Sequence, residues 1–333
     1  MLTAFLTHNP EDLDAYSARA LPELQAIARV VLNPLDRDLD PGELISAAVD
    51  CDVIIAHRAT PGGAELFEAM PGLLGFLRCA VDISTIDVES ASASGVLIAR
   101  ADKSFVASTA ELALALMLDL ARNVSESTID YRGDGSSRQR QGMQLRGRTA
   151  GIIGYGAIGS YLAQLLRDVG MRVLVTDPVA AATDDGFEQC DLSELLQRSD
   201  FVLPLAPAMP STENLIDAAA LALVRPGTML VNVSRGELLD EAAVAAALDS
   251  GRLGGLAMDV GRAADQRPSV DLARRPGVLA TPHLGGLTPE NADAQAMSSV
   301  EQVRAIVAGV MPPRAVNPEH AHRLRAWWRR LEL

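Results

Sequence analysis

In the C-terminal half of the chain, an arginine, an aspartate and a histidine each follow a short apolar run. The runs are Met229 to Val233, Gly255 to Met258 and Val278 to Ala280, and after them come Ser234-Arg235-Gly236, Asp259 and Thr281-Pro282-His283. The fork of an arginine grips a carboxylate with two parallel bonds and polarises a neighbouring carbonyl. An imidazole gives a proton to an alkoxide, or takes one from an alcohol, near neutral pH. A carboxylate at a strand end, such as Asp259, can accept from a carboxamide. Each has a plainer structural alternative: an ion pair for Arg235, a satisfied structural histidine for His283, a helix cap for Asp259. Taken together the set suits hydride transfer with a nicotinamide cofactor, Arg235 orienting an acid and His283 handling the proton. No H-x-x-x-H pair or cysteine cluster is present, so metal ligands are not expected.

Such chemistry needs a cofactor cradle, and one stretch has the form of it. The apolar run Gly151 to Ile153 breaks into Gly154-x-Gly156-x-x-Gly159 and a helix-like segment from Ser160 to Val169, and a second run, Val173 to Val175, ends on Asp177. This is the strand, glycine turn, helix and strand of a dinucleotide-binding unit. Gly154 permits the tight turn, Gly156 the approach of a pyrophosphate, and Gly159 the close packing of helix on sheet. The helix start offers free N–H groups to phosphate. Asp177 can accept both hydroxyls of an adenosine ribose and would repel a 2′-phosphate, which favours NAD over NADP. Further strands deliver residues to the same edge: Phe201 to Leu203 leads into Pro204 to Thr212. The candidate cofactor contacts there are Ala206, Thr212, Val233, Ser234, Arg235, Asp259, His283, Gly285 and Gly286.

Residues 1 to about 100 alternate short apolar runs with helix-like segments. Strands are expected at Thr3 to Leu6, Ala28 to Leu32, Val53 to Ala56, Leu74 to Arg78 and Val96 to Ile98, with helices at Pro10 to Ala20, Pro41 to Val49 and Gly63 to Met70. That pattern is a doubly wound parallel α/β sheet. Two loops at its strand ends, His57 to Thr60 and Cys79 to Ser84, are candidate pocket liners. Thr109 to Arg122 is an almost wholly apolar helix, expected to be buried between two subunits. Residues 125 to 147 are polar and look like an exposed connection. Helices are expected again from Pro289 to Ala308 and from Glu319 to Glu332, the last carrying Trp327 and Trp328 as a docked amphipathic element.

The totals narrow the classes. The chain has 333 residues, 48% hydrophobic and 4% aromatic, with a net charge of −14, and Lys103 is its only lysine. The acidity argues against nucleic-acid binding. Cys51, Cys79 and Cys190 are too few and too scattered for a disulfide framework, which points to a reducing compartment. The start shows no signal-peptide pattern, and no apolar run approaches the roughly 20 residues of a membrane span. A soluble, cytoplasmic protein is expected.

At this point the chain resembles the D-isomer-specific 2-hydroxyacid dehydrogenase family, in its phosphoglycerate dehydrogenase-like branch. The carriers are I86-D-V88, E111-L-A-L-A-L116, G151-I-I-G-Y-G-A-I-G159, N232-V-S-R-G-E-L-L-D240, G255-L-A-M-D-V260 and T281-P-H-L-G-G286. The resemblance implies two doubly wound parallel-sheet domains. A Rossmann NAD-binding domain, 102–287, is inserted in a flavodoxin-like substrate domain made of 1–101 and 288–333. It also implies a homodimer joined largely by the nucleotide domains and a small 2-oxo or 2-hydroxy acid as substrate. Arg235 matches the catalytic arginine and His283 the acid/base. The backbone at Ala157 and Ile158 matches the pyrophosphate contact, Asp177 the ribose contact and Asp259 the nicotinamide contact.

The chain departs from the pattern at three places. Relatives read D-V-F-x-x-E-P, and their glutamate pairs with the histidine; here Ala264 takes its place, and Asp265 is the candidate partner of His283. The loop that receives the substrate carboxylate is A80-V-D-I-S84, with Asp82 where relatives have glycine, so the backbone N–H groups near Val81 and Asp82 are the candidate donors. Val106 stands where many relatives have a cofactor-touching threonine. His57 and Lys103, the latter in the turn between domains, are candidates for setting specificity. 3-Phosphoglycerate, glyoxylate, hydroxypyruvate and a larger 2-oxo acid all fit the motifs. A competing expectation, kept open by Asp82 and Ala264, is an NAD(H)-sensing protein of corepressor type on the same scaffold.

Overall fold

The computed structural model describes residues 1–135, 139–182, 186–263 and 265–332. It divides into two compact units, one of Met1–Ser104 with Thr288–Leu333 and one of Phe105–Leu287.

The first unit is built on five parallel strands, β1 (Thr3–Leu6), β2 (Arg29–Leu32), β3 (Val53–Ala56), β4 (Gly75–Arg78) and β5 (Leu97–Arg100), in the order β2-β1-β3-β4-β5. Parallel neighbours need crossovers, and helices supply them, as at Pro41–Ala48 and Ala64–Ala69. β3 and β4 are buried along their whole length, which is why they read as unbroken apolar runs. One core lies on each face. Phe5, Phe67, Phe76 and Ile98 fill one. Leu24, Leu77, Val300, Val303, Leu324 and Trp328 fill the other. The chain's last helix, His322–Leu331, is docked, not loose: the Trp328 indole donates to the Ile306 carbonyl at 2.8 Å, and Arg323 Nη1 donates to the Met70 carbonyl at 2.7 Å. Asn317 Oδ1, just before it, accepts from Ile98 N at 2.7 Å.

The helix expected over Pro10 to Ala20 differs. Pro10–Asp12 is helical, Leu13–Ser17 forms a wider turn, and a second helix runs over Ala20–Ile27. Pro22 lies in the first turn of that second helix, where a missing N–H costs nothing.

The second unit has seven parallel strands: β6 (Thr149–Ile153), β7 (Arg172–Thr176), β8 (Glu188–Gln189), β9 (Phe201–Pro204), β10 (Thr228–Asn232), β11 (Leu253–Met258) and β12 (Val278–Ala280). Their order is β12-β11-β10-β9-β6-β7-β8, so the winding reverses between β6 and β9, the place where an open α/β sheet leaves a crevice. Helix Ala157–Asp168 starts earlier than the periodicity suggests, directly on Gly156. Helix Val106–Arg122 buries Ala110, Ala113, Met117 and Leu120.

Residues 125 to 147 are not only a connection. Val124–Asp134 is a helix, entered through Asn123 in the left-handed region at φ 52°. Asp119 anchors its start by accepting from both the N–H (2.8 Å) and the hydroxyl of Ser125. Its sequence, VSESTIDYRGD, has no apolar stripe, so periodicity could not reveal it. Among the described residues, no helix is long and apolar enough to cross a membrane.

Candidate active site

The glycine turn after β6 is shaped by backbone contacts. Gly154 has φ 104°, and a Cβ there would stand 2.8 Å from the Ala206 nitrogen, so the loops after β6 and β9 touch only because it is glycine. A Cβ on Gly159 would stand 2.1 Å from the Gly154 carbonyl oxygen. Gly156 faces open space: a Cβ there would find nothing within 4 Å. It is the N-cap of Ala157–Asp168 and makes no side-chain cap. The first N–H groups of that helix, at Ala157, Ile158 and Gly159, lack intrahelical acceptors and border this space, which fits a pyrophosphate.

Asp177 belts the turn to the end of β7. One oxygen accepts from Tyr155 N (2.7 Å), the other from Val179 N (2.8 Å) and Ala180 N (2.7 Å). Burial pushes its carboxyl up, but the three backbone donors outweigh burial and hold it below the usual carboxylate range. A carboxylate has about four acceptor sites, so room for one ribose hydroxyl remains.

The turn after β10 is set by Asn232, which is fully buried. Its Nδ2 donates to the Arg235 carbonyl (2.7 Å) and its Oδ1 accepts from Ser234 N (3.0 Å). The Ser234 hydroxyl reaches the Ala206 carbonyl at 3.0 Å. A Cβ on Gly236 would lie 2.2 Å from the Gly261 carbonyl carbon, so this turn sits backbone to backbone against the loop after β11. Arg262 ties the same loops: it donates to Glu213 Oε1 (2.7 Å) and to the Glu237 and Leu239 carbonyls (3.0 and 2.9 Å). The Arg235 guanidinium donates to the Ser234 carbonyl at 2.8 Å and forms no ion pair among the described residues.

Asp259 is fully buried at the end of β11 and turns its carboxylate into the loop after β12. Oδ1 accepts from the Thr281 hydroxyl (2.6 Å) and Leu284 N (2.7 Å), and Oδ2 from Gly285 N (2.7 Å). Thr109, on helix Val106–Arg122, donates to the Gly285 carbonyl at 3.1 Å. His283 lies between these anchors, half-buried, at φ 61°, its N–H bonded to the Thr281 carbonyl at 2.9 Å. Asp259 is thus neither a helix cap nor a wholly open acceptor; it anchors the loop that carries the imidazole. Asn232 and Thr109 hold these loops, and the sequence alone assigned neither a role: Asn232 is the one polar residue inside the apolar run Met229 to Val233, and Thr109 merely opens the apolar stretch Thr109 to Arg122.

The remaining candidates of this unit are dispersed. Asp265 is exposed; Oδ1 accepts from Arg267 N (3.1 Å) and Oδ2 lies 3.4 Å from Arg267 Nε. Ala264 lies outside the described residues. The Thr212 hydroxyl closes its own turn through the Pro207 carbonyl (2.6 Å) and Met209 N (3.0 Å). Val233 and Gly285 are buried, Gly286 half-buried. Val106 opens its helix.

In the first unit, the reversal of winding falls between β1 and β3. Thr7 Oγ1 there accepts from His57 N (2.9 Å) and meets Thr60 Oγ1 (2.7 Å). The His57 and His8 rings lie 5.2 Å apart. Burial, then the charge of its neighbour His57, pushes His8 down to about 3. Burial also lowers His57, with Arg58 and Arg78 in the same direction and Asp12 and Asp38 opposing. Asp12, Asp38 and His57 bring donor atoms within 4.8 Å of one another, but the Asn9 amide nitrogen already bridges the two carboxylates at 2.9 and 3.4 Å. Asp82 is exposed and accepts from Ser84 N at 2.8 Å; Val81 is half-buried. Lys103 is exposed, its N–H held by Asp102 Oδ1 at 2.8 Å.

Residues 114–285 match the family model described as D-isomer specific 2-hydroxyacid dehydrogenase, NAD binding domain. The chain is 36% identical over 284 residues to D-3-phosphoglycerate dehydrogenase of Mycobacterium tuberculosis, covering 84% of this chain and 53% of that protein. It therefore spans about half the length of that relative. It is 30% identical over 311 residues to hydroxypyruvate reductase of Thermotoga maritima, covering 92% of this chain and 98% of that one. Among solved structures it is similar to a putative D-isomer specific 2-hydroxyacid dehydrogenase from Polaromonas sp. JS6 66, with TM-score 0.85, 25% identity, and 95% and 99% of the two chains covered.

Proposed function

The chain belongs to the D-isomer specific 2-hydroxyacid dehydrogenase family, and on that premise we propose that it interconverts a D-2-hydroxy acid and its 2-oxo acid with NAD(H). The observation that carries this reading is the Asp259 anchor, which fixes the His283 loop at the sheet edge that also presents Arg235 and the glycine turn. NAD, when bound, supplies or accepts the hydride. The N–H groups of Ala157, Ile158 and Gly159 would hold its pyrophosphate, and Asp177 would accept a ribose hydroxyl and disfavour a 2′-phosphate by its charge.

Arg235, without a carboxylate of its own, binds the acid's carboxylate and polarises its carbonyl. His283 delivers a proton to the 2-oxo oxygen in reduction and takes it back from the hydroxyl in oxidation. Asp265 is proposed to orient the imidazole, on condition that it exchanges Arg267 for the ring. To the first unit we assign substrate selection, through His57, Val81, Asp82 and Lys103. The names of the relatives suggest a small acid such as hydroxypyruvate or its phosphorylated form. A homodimer through the second unit is supported by Leu118, Val124, Ile129 and Tyr131, which are 45%, 54%, 69% and 68% exposed on its two adjoining helices.

The test is NADH oxidation on a panel of 2-oxo acids. Arg235→Ala and His283→Ala are each expected to lower turnover at least about 100-fold with NADH affinity kept. Near-wild-type rates in either would remove the assigned role. Tight NADH binding by the wild type without oxidation on any acid would favour the sensor.

A further inference from the structure

The largest fully buried side chain of the first unit is a cation, Arg78, at the carboxyl end of β4. Its guanidinium is spent on neutral groups: Nη1 donates to the His57 carbonyl, Nη2 to the Thr60 carbonyl (2.7 Å) and to the Thr85 hydroxyl (2.8 Å). Its Nε is buried with no partner, and Phe76 lies beneath it at 5.8 Å. No carboxylate comes within ion-pair distance among the described residues. Of the acidic groups that act on it, the Cys79 thiol is pushed up to about 12 by burial and so carries no charge near neutral pH, and Asp82 is exposed and engaged with Ser84 N. Buried ions are ordinarily paired, because desolvation costs more than neutral hydrogen bonds return. An unpaired one, kept at the ligand-facing end of a sheet, calls for an anion that arrives from outside.

The adjoining loop has a donor for such an anion. The Ala80 carbonyl accepts from Ala101 N at 3.1 Å. Across a trans peptide the Val81 N–H then points the opposite way, and no acceptor meets it among the described residues. We propose that Arg78 is a positioning residue of substrate recognition: it holds the His57–Thr60 loop against Thr85 and supplies the buried counter-charge for an acid carboxylate received at the Val81 N–H. This rests on the dehydrogenase reading and deepens it. It also gives Asp82 a meaning: its negative charge competes with the incoming acid for the field of Arg78 and weakens binding of acids.

The experiment uses the full-length protein with NADH bound and oxamate, an unreactive carboxylate analogue of a 2-oxo acid, as probe. Arg78→Met is expected to weaken oxamate binding about tenfold or more, and to raise KM for glyoxylate by the same factor, with kcat and NADH affinity close to wild type. Arg78→Lys keeps the charge but not the fork, and should recover most of the affinity. A purely structural role predicts that lysine fails as methionine does, and that outcome overturns the proposal, as does wild-type oxamate affinity in Arg78→Met. Should Arg78→Met fail to fold, Asp82→Asn decides: this exposed change is expected to tighten oxamate several-fold, and unchanged affinity would refute the counter-charge. Failure of the dehydrogenase reading looks different. There the wild type itself, with NADH bound, would neither bind oxamate nor oxidise NADH with any 2-oxo acid.

Discussion

Replacing Asp259 by asparagine tests whether the carboxylate holds the His283 loop. The carboxylate serves three donors, two on Oδ1 and one on Oδ2. Asparagine keeps one oxygen, which can still take two of them. Its amide then faces Gly285 N–H, donor against donor, in a fully buried place. A hydrogen bond to a charged group contributes about 1.5–3 kcal/mol, and the two survivors become neutral bonds of roughly half their strength. Release of a buried charge offsets part of the loss, which leaves about 2–4 kcal/mol. For a body of this size each kcal/mol shifts Tm by about 2–4 °C, so a fall of about 10 °C is expected. Because His283 lies between the anchored residues, displacement of its loop by about 1 Å should lower kcat about 100-fold. Thermal melts and steady-state kinetics on the same preparations measure both, and Thr281→Val, which removes one donor of the three, should fall in between. A Tm within about 2 °C of wild type together with kcat within about twofold would refute the anchor.

Two glycines should part company. Gly236→Ala places a methyl 2.2 Å from the Gly261 carbonyl carbon and should destabilise by about 1–3 kcal/mol while raising KM for the 2-oxo acid, since Arg235 is the next residue. Gly156→Ala meets nothing within 4 Å and should leave Tm alone but weaken NADH; equal Tm losses in the two would contradict the geometry. Acid should destabilise through His8, whose folded pKa is pushed down to about 3 from the ordinary 6.5. The unfolded chain binds a proton there that the folded chain refuses. Stability is therefore complete above about pH 6.5 and declines towards pH 3, by at most about 1.4 kcal/mol per pH unit from this group. The difference between urea midpoints at pH 7 and 4.5 should shrink in His8→Asn, with the remainder left to buried His57, and an unchanged difference would acquit His8.

The two sheets and their winding were readable because buried parallel strands write themselves as apolar runs such as Val53–Ala56 and Phe201–Pro204, and glycines mark the turn after β6. Strand-end placement also located Arg235, Asp259 and His283. What Asp259 does there was hidden, because its donors lie 22 to 26 residues away and only folding brings them to it. Thr109 meets Gly285 across 176 residues, a distance no local pattern spans. Val124–Asp134 escaped because its few large apolar residues, Val124, Ile129 and Tyr131, are exposed and do not recur at the spacing of a buried stripe. Arg78 closes an apolar strand as Asp259 does, yet its burial and lack of a carboxylate are properties of the packed unit.

The docking of the last helix bears on how the chain is made. Met70 and Ile98 wait for Arg323 and Asn317, 253 and 219 residues further along, and Leu24 and Leu77 share a core with Trp328, so the first unit closes only after the whole 105–287 segment has been made. On the ribosome the continuous 105–287 body can mature first, while the leading hundred residues stay unfinished with one apolar sheet face bare. Such a delay, set by contacts of very long sequence separation, leaves residues 1–104 with an unfinished core for as long as the intervening body takes to be made.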